Sequence, residues 1–173
     1  VEDEVVFTPS NDNYTYSVEE LIEFYTCNKV DNIIIINPDN PSGNYLKKEE
    51  IIRLIKWTDS QGIKLVVDES FADFSDEPDN SLIEQKFIET YSRLYVMKSI
   101  SKSYGVPGLR LGILVSSDTE TIAAMKKDVA IWNINSFGEY YLQIAEMTGK
   151  QPKSIDNALQ RIKNKIHGME WVK

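Results

Sequence analysis

The chain has 173 residues, of which 42% are hydrophobic and 10% aromatic, a composition sufficient for one domain with a proper core. Its 27 acidic residues outnumber the 19 basic ones, and the resulting net charge of −8 argues against nucleic acid or an anionic membrane surface as the main partner. A lone cysteine, Cys27, and a lone histidine, His167, leave no basis for a disulfide framework or a metal cluster, and no apolar run approaches the length of a membrane span.

Cys27 is expected to be a small buried hydrophobe in a reducing, cytoplasmic setting. The acidic start Val1-Glu2-Asp3-Glu4 is the opposite of a signal peptide. It runs almost directly into strand-like Val5-Val6-Phe7, and the chain stops at Met169-Glu170-Trp171-Val172-Lys173 as apolar residues reappear. Both ends therefore read as those of a fragment.

Ser17 with Glu20 forms a capping box, and Val18, Leu21, Ile22 and Tyr25 recur at helical spacing, which predicts a helix over 18–27 stopped by Asn28. Asn32 to Ile36 is a β-branched run without polar alternation, the pattern of a strand buried on both faces. After a Pro-rich turn, an amphipathic helix is expected over 47–60, closed by Gly62, and then a strand over 63–67 that ends in Asp68. A helical patch over 81–91 leads to a strand over 93–98. Leu111 to Val115 returns after too short a connection for a parallel crossover, so it is expected to run antiparallel. Ser117 with Glu120 and Ser136 with Glu139 are expected to cap helices over 118–131 and 137–148, and Ile155, Leu159, Ile162 and Ile166 predict a last helix to about 167. This alternation of strand and helix predicts an α/β fold: three layers, α/β/α, around a mostly parallel sheet with one antiparallel strand.

Between the last two strands lies the segment Ser99 to Gly112. Ser99, Ser101, Lys102 and Arg110 sit there among glycines, where the backbone can approach a ligand and hydroxyls and a guanidinium can meet a phosphate. In open α/β sheets, ligands lie beyond the carboxyl ends of the parallel strands. Asn40, Asp68 and the Ser99–Lys102 stretch each follow such an end and are expected to converge on one crevice. An amide, a carboxylate, a lysine and an arginine buried together need a ligand that pairs them. A molecule with a phosphate, an aldehyde and a basic ring nitrogen would do so, with Arg110 and the serines on the phosphate, Lys102 on the aldehyde and Asp68 on the nitrogen. Singly, Asp68 and Asn40 are ordinary turn residues. Glu69 and Asp73 read as structural or solvated, and Trp57, Trp132 and Trp171 as packing groups.

Asn37-Pro38-Asp39-Asn40-Pro41-Ser42-Gly43, Val67-Asp68-Glu69-Ser70-Phe71 and Ser99-Ile100-Ser101-Lys102 with Arg110, in that order, resemble the signature of the fold type I, class I/II pyridoxal-phosphate-dependent aminotransferases. Asp68 to Phe74 and Trp132 to Ser136 are similar to the histidinol-phosphate aminotransferase and threonine-phosphate decarboxylase branch. The resemblance implies pyridoxal 5′-phosphate as cofactor, held by Lys102 as an internal aldimine, with Lys102 afterwards moving protons at the substrate carbon. It implies that Asp68 keeps the ring nitrogen protonated, that Asn40 hydrogen-bonds the phenolic oxygen, and that Ser99, Ser101 and Arg110 hold the phosphate. Phe71 stands where most members carry a tyrosine that donates to the same phenolic oxygen, and it cannot make that bond.

The implied reaction moves an amino group between an amino acid and a keto acid, in a homodimer. The implied organisation is a partial pyridoxal-phosphate-binding large domain over 1–150 and, over 151–173, a helix leading towards a small domain. The same residues suit a phospho-amino-acid decarboxylase, for which Phe71 is the hint. A truncated, noncatalytic domain is the remaining alternative.

Overall fold

The computed structural model describes residues 13–77, 80–103, 105–129 and 134–148. The strand-like Val5-Val6-Phe7, Trp132, Trp171, His167 and the helix expected over 155–167 lie outside them. In chain order the elements are α1 (Val18–Cys27), β1 (Asn32–Ile36), α2 (Lys48–Gln61), β2 (Lys64–Asp68), α3 (Gln85–Thr90), β3 (Leu94–Ser99), α4 (Ile100–Ser103), β4 (Gly112–Val115), α5 (Thr119–Asp128) and α6 (Ser136–Thr148). Short 3-10 turns occupy Ala72–Phe74 and Pro107–Leu109. The strands form a sheet of order β1-β2-β3-β4, parallel except for one antiparallel pair, the arrangement expected of a partial α/β domain. The chain divides into two compact units, Val1–Lys98 with Ile113–Asp128 and Ser99–Gly112 with Val129–Lys173.

In the first unit, α1 begins where the sequence predicts. The Ser17 hydroxyl accepts from the Glu20 N–H at 3.2 Å, and the Glu20 carboxylate accepts from the Ser17 N–H at 2.7 Å. Gly62 ends α2 in the left-handed conformation, φ 75°, where a side chain would be strained. Alternation along the strands puts Ile33, Ile35, Leu65, Val67, Leu94 and Val96 on one face, all buried. Val18 and Leu21 from α1, Ile51, Leu54 and Ile55 from α2, and Ile88 from α3 belong to the same core. Each such side chain contributes about 1.5–3 kcal/mol of transfer free energy, so this face fixes the register.

The other face of the sheet corrects the sequence reading of β1. Ile34 is 68% exposed, so β1 is buried on one face only. Among the described residues it is the outermost strand on its side of the sheet, and its continuous isoleucine run conceals that the two faces differ in burial. Tyr95, on that same face, is buried. Its hydroxyl donates to Asp118 Oδ2, and Lys64 Nζ lies 5.6 Å from its ring centroid.

Asp118, not Ser117, caps α5: its Oδ1 accepts from the Thr121 N–H at 3.0 Å. Tyr95, then Thr121, hold the Asp118 carboxyl well below the usual carboxylate range by donating to its charged form. Cys27 is exposed, contrary to expectation, because it closes α1 off the stripe made by Val18, Leu21 and Tyr25. The helix expected over 81–91 contracts to α3, since residues 80–84 are not helical and Ser81 and Leu82 serve as a strap bonded to Glu69 at the end of β2.

The second unit has a smaller apolar cluster. Leu111 and Tyr141 are its buried members, with Ile100, Val106, Leu109 and Ile144 packed against them. Segment 99–110, expected as a loop, instead contains the single helical turn α4 and a 3-10 turn. Asn135 caps α6 in place of Ser136. Its Oδ1 accepts from the Gly138 N–H at 2.9 Å, and its amide donates to the Leu109 carbonyl at 2.6 Å. A Cβ at Gly138 would sit 2.9 Å from Leu111 Cδ2 and 3.3 Å from the Leu109 carbonyl oxygen, so a side chain there would force the buried Leu111 to shift.

Candidate functional site

Parallel pairing aligns three strand ends. Ile36, Asp68 and Met97 are register partners across β1, β2 and β3. The chain is then drawn tight at this edge, with the Asn37 N–H donating to the Asp68 carbonyl at 2.9 Å and the Glu69 N–H to the Met97 carbonyl at 2.8 Å. Asp68 therefore lies at the carboxyl end of an interior strand, the position predicted for it, and its Oδ1 accepts from the Ser70 N–H at 2.8 Å.

Beyond this edge, Asn40 and Phe71 line one cleft of about 630 Å³, together with Tyr45, Lys47, Phe74 and Glu77. Asp68 is not part of its lining. Buried polar groups behind the cleft hold its two walls. On the Asn40 side, the Asn37 amide donates to the Leu46 carbonyl at 2.9 Å and accepts from the Leu46 N–H at 2.8 Å, which closes the loop 38–46 on itself. On the Phe71 side, Glu69 is 2% exposed and accepts from the Leu82 N–H and, at 2.8 Å, from the Ser81 hydroxyl. Burial pushes the Glu69 carboxyl above the usual range, against the pull of those two bonds and of Lys98 and Lys48. Asp73 pairs with Lys98 Nζ at 2.7 Å, so the 3-10 turn is also tied to the strand that leads into Ser99.

Sequence reasoning missed Asn37, left Glu69 and Asp73 between structural and solvated, and did not single out Lys98. The one signal that marked Glu69 was its place immediately after Asp68.

The second unit carries the remaining predicted residues, Ser99, Ser101, Lys102 and Arg110. Ser99 ends β3, and Lys102 lies on α4 with its side chain exposed. Ser101 is 2% exposed. Its hydroxyl accepts from the Leu111 N–H at 3.2 Å and donates to the Leu111 carbonyl at 3.3 Å, so it fixes the residue next to Arg110. Arg110 holds a left-handed backbone, φ 53° and ψ 40°, which costs a non-glycine residue about 1 kcal/mol. Strain of this kind clusters at functional sites.

Residues 3–169 match the sequence profile described as aminotransferase class I and II. The chain belongs to that family. It is 34% identical over 145 residues to the L-serine phosphate decarboxylase of Sulfurospirillum multivorans, covering 82% of this chain and 36% of that protein. It is also 34% identical over 130 residues to the histidinol-phosphate aminotransferase of Ruminiclostridium cellulolyticum, covering 75% of this chain and 34% of that one. The chain thus spans about a third of the length of the curated relatives it matches.

Among solved structures, the histidinol-phosphate aminotransferase from Clostridium acetobutylicum aligns with a TM-score of 0.66 at 31% identity, over 78% of this chain and 39% of that one. Membership of this family points to pyridoxal 5′-phosphate as the cofactor. The residue types suit such a group: Asp68 offers a carboxylate, Asn40 an amide, Arg110 a guanidinium, Ser99 a hydroxyl and Lys102 an amine, while the Ser101 hydroxyl is already bonded to Leu111. Among the described residues, no His, Cys, Asp and Glu cluster is placed to hold a metal ion, and no helix is long and apolar enough to cross a membrane.

Proposed function

We propose that this chain carries the cofactor-binding part of an aminotransferase, a cytoplasmic homodimer that moves an amino group between an amino acid and a keto acid. The observation that carries the reading is the placement of Asp68 at the carboxyl end of an interior strand, beside a cleft lined by Asn40 and Phe71, in a chain of this family. Pyridoxal phosphate, when bound, supplies an electrophilic aldehyde and a ring that accepts electrons from the substrate carbon.

The chain's own groups have separate tasks. Lys102 would hold the aldehyde end of the cofactor and would move a proton at Nζ. Asp68 keeps a proton on the ring nitrogen through a charge-assisted hydrogen bond. Asn40 donates to the phenolic oxygen, and Phe71 shields it from water without offering a hydrogen bond. Ser99 and Arg110 hold the phosphate, and Ser101 supports them through its grip on Leu111. In domain terms, residues 1–150 would be part of the cofactor-binding domain, while the helix expected over 151–173 lies outside the described residues.

A second reading, a decarboxylase of phosphorylated amino acids, is favoured by Phe71 and by the 34% identity to the serine phosphate enzyme.

The test is an absorption titration with pyridoxal phosphate, then borohydride reduction and mass mapping, on the wild type and Lys102→Ala. Attachment confined to Lys102 and lost in the variant supports the proposal. Labelling scattered over surface lysines would overturn it for this polypeptide and leave a noncatalytic domain. With the full-length protein, release of carbon dioxide rather than a keto acid from an amino-acid phosphate ester would select the decarboxylase.

A further inference from the structure

The turn that carries Phe71 is pinned by residues outside the proposed cofactor contacts. Glu69, at its start, bonds the strap at Ser81 and Leu82 with both carboxylate oxygens. The Ala72 carbonyl, in its middle, accepts from the Asn80 amide at 2.9 Å. Asp73 bonds Lys98. Inside the turn, the Ala72 N–H donates to the Glu69 carbonyl at 3.0 Å, the Phe74 N–H to the Phe71 carbonyl at 3.0 Å, and the Ser75 N–H to the Ala72 carbonyl at 3.1 Å. Glu69 differs from the other anchors because it is wholly buried. A carboxylate in that position costs several kcal/mol unless its bonds are complete, so the strap and the turn must close together or not at all.

We propose that Glu69 is the positioning residue of this site: by locking the strap 80–82 to the end of β2, it fixes the turn 70–75 and holds Phe71 in the wall of the cleft facing Asn40. The proposal deepens the cofactor reading above and rests on it for its consequence, weaker and less ordered cofactor binding when the lock is removed. Glu69 touches neither substrate nor cofactor in this account. It acts through Phe71.

The experiment compares wild type, Glu69→Gln, Glu69→Leu and the core control Leu54→Ala by amide hydrogen exchange without cofactor, and by the dissociation constant for pyridoxal phosphate. Glu69→Gln keeps the acceptor for the Leu82 N–H and is expected to stay close to wild type. In Glu69→Leu, exchange at Ala72, Phe74 and Ser75 is expected to rise by about tenfold or more over the rest of the sheet, and cofactor binding to weaken by about tenfold. Leu54→Ala lowers global stability without that local signature. Should Glu69→Leu not fold, Ser81→Ala removes one of the two donors and reads the same amides.

Unchanged exchange at these amides, or a loss of binding that merely tracks stability as in Leu54→Ala, would overturn the proposal. A wild type that takes up no cofactor overturns the functional reading instead, while the exchange pattern still decides whether Glu69 holds the turn.

Discussion

The turn after Asp68 and the segment from Ser99 to Gly112 both carry proposed site residues, yet they are held in different ways. The first follows an interior strand whose one face is packed by three helices, and its polar anchors, Asn37 and Glu69, are themselves buried. The second rests on a small cluster around Leu111 and Tyr141 and on one buried hydroxyl, Ser101, while Lys102 and Arg110 stay exposed. A group that must hold a ring in a fixed orientation gains from a rigid support, because small displacements weaken directional hydrogen bonds steeply. The roles proposed for Lys102 and Arg110, moving a proton and meeting a phosphate, need reach and charge, which exposed side chains on short elements retain.

Replacing core groups of the two regions should separate them. Leu54→Ala opens a cavity in the packed face and is expected to cost about 3 kcal/mol, read as a lower midpoint in urea unfolding. Ser101→Ala leaves the Leu111 N–H and carbonyl without their side-chain partner and is expected to cost about 1–2 kcal/mol. Its signature is faster amide exchange at Leu111 with little change at Leu65 or Val67, and equal acceleration at all three would show that the two regions do not respond separately.

The smallest effect concerns the open face of the sheet, where Asp118 joins Tyr95, Thr121 and Lys64. Its carboxyl is lowered in the folded state, so the group stabilises the protein above its unfolded value of about 4 and loses that contribution as pH falls. Asp118→Asn should therefore be less stable than wild type at neutral pH, and the difference should shrink in unfolding measurements at about pH 3. A difference of constant size across that range would rule the linkage out.

Much of this architecture was legible because local chemistry and packing agree. The capping box at Ser17 and Glu20, the glycine after α2 and the helical stripes of α1 and α2 survive into the fold unchanged. Where sequence and structure part, a neighbour distant in sequence decided. Four isoleucines in a row cannot reveal that β1 is packed on one face only, because exposure is set by what packs on each face. Ser117 and Ser136 looked like caps by composition, but the residues next to them, Asp118 and Asn135, also bond Tyr95 and the Leu109 carbonyl, which fixes them as the caps. Glu69 was ambiguous because only the strap at 81–82 makes a buried carboxylate tolerable there.

The sequence by itself determined the order of strands and helices, the residue types gathered at the strand ends and, through three motifs in register, the family. Hydrophobic period, capping chemistry and motif spacing are local properties, written within a few residues. Tertiary structure alone decided which face of the sheet is buried, that Asn40 and Phe71 share a cleft while Ser101 turns inward to Leu111, and that Glu69 and Lys98 brace the turn beside Asp68. Each of these depends on segments that meet only after the parallel strands have paired, and burial and hydrogen-bond completion are then properties of the assembled neighbours.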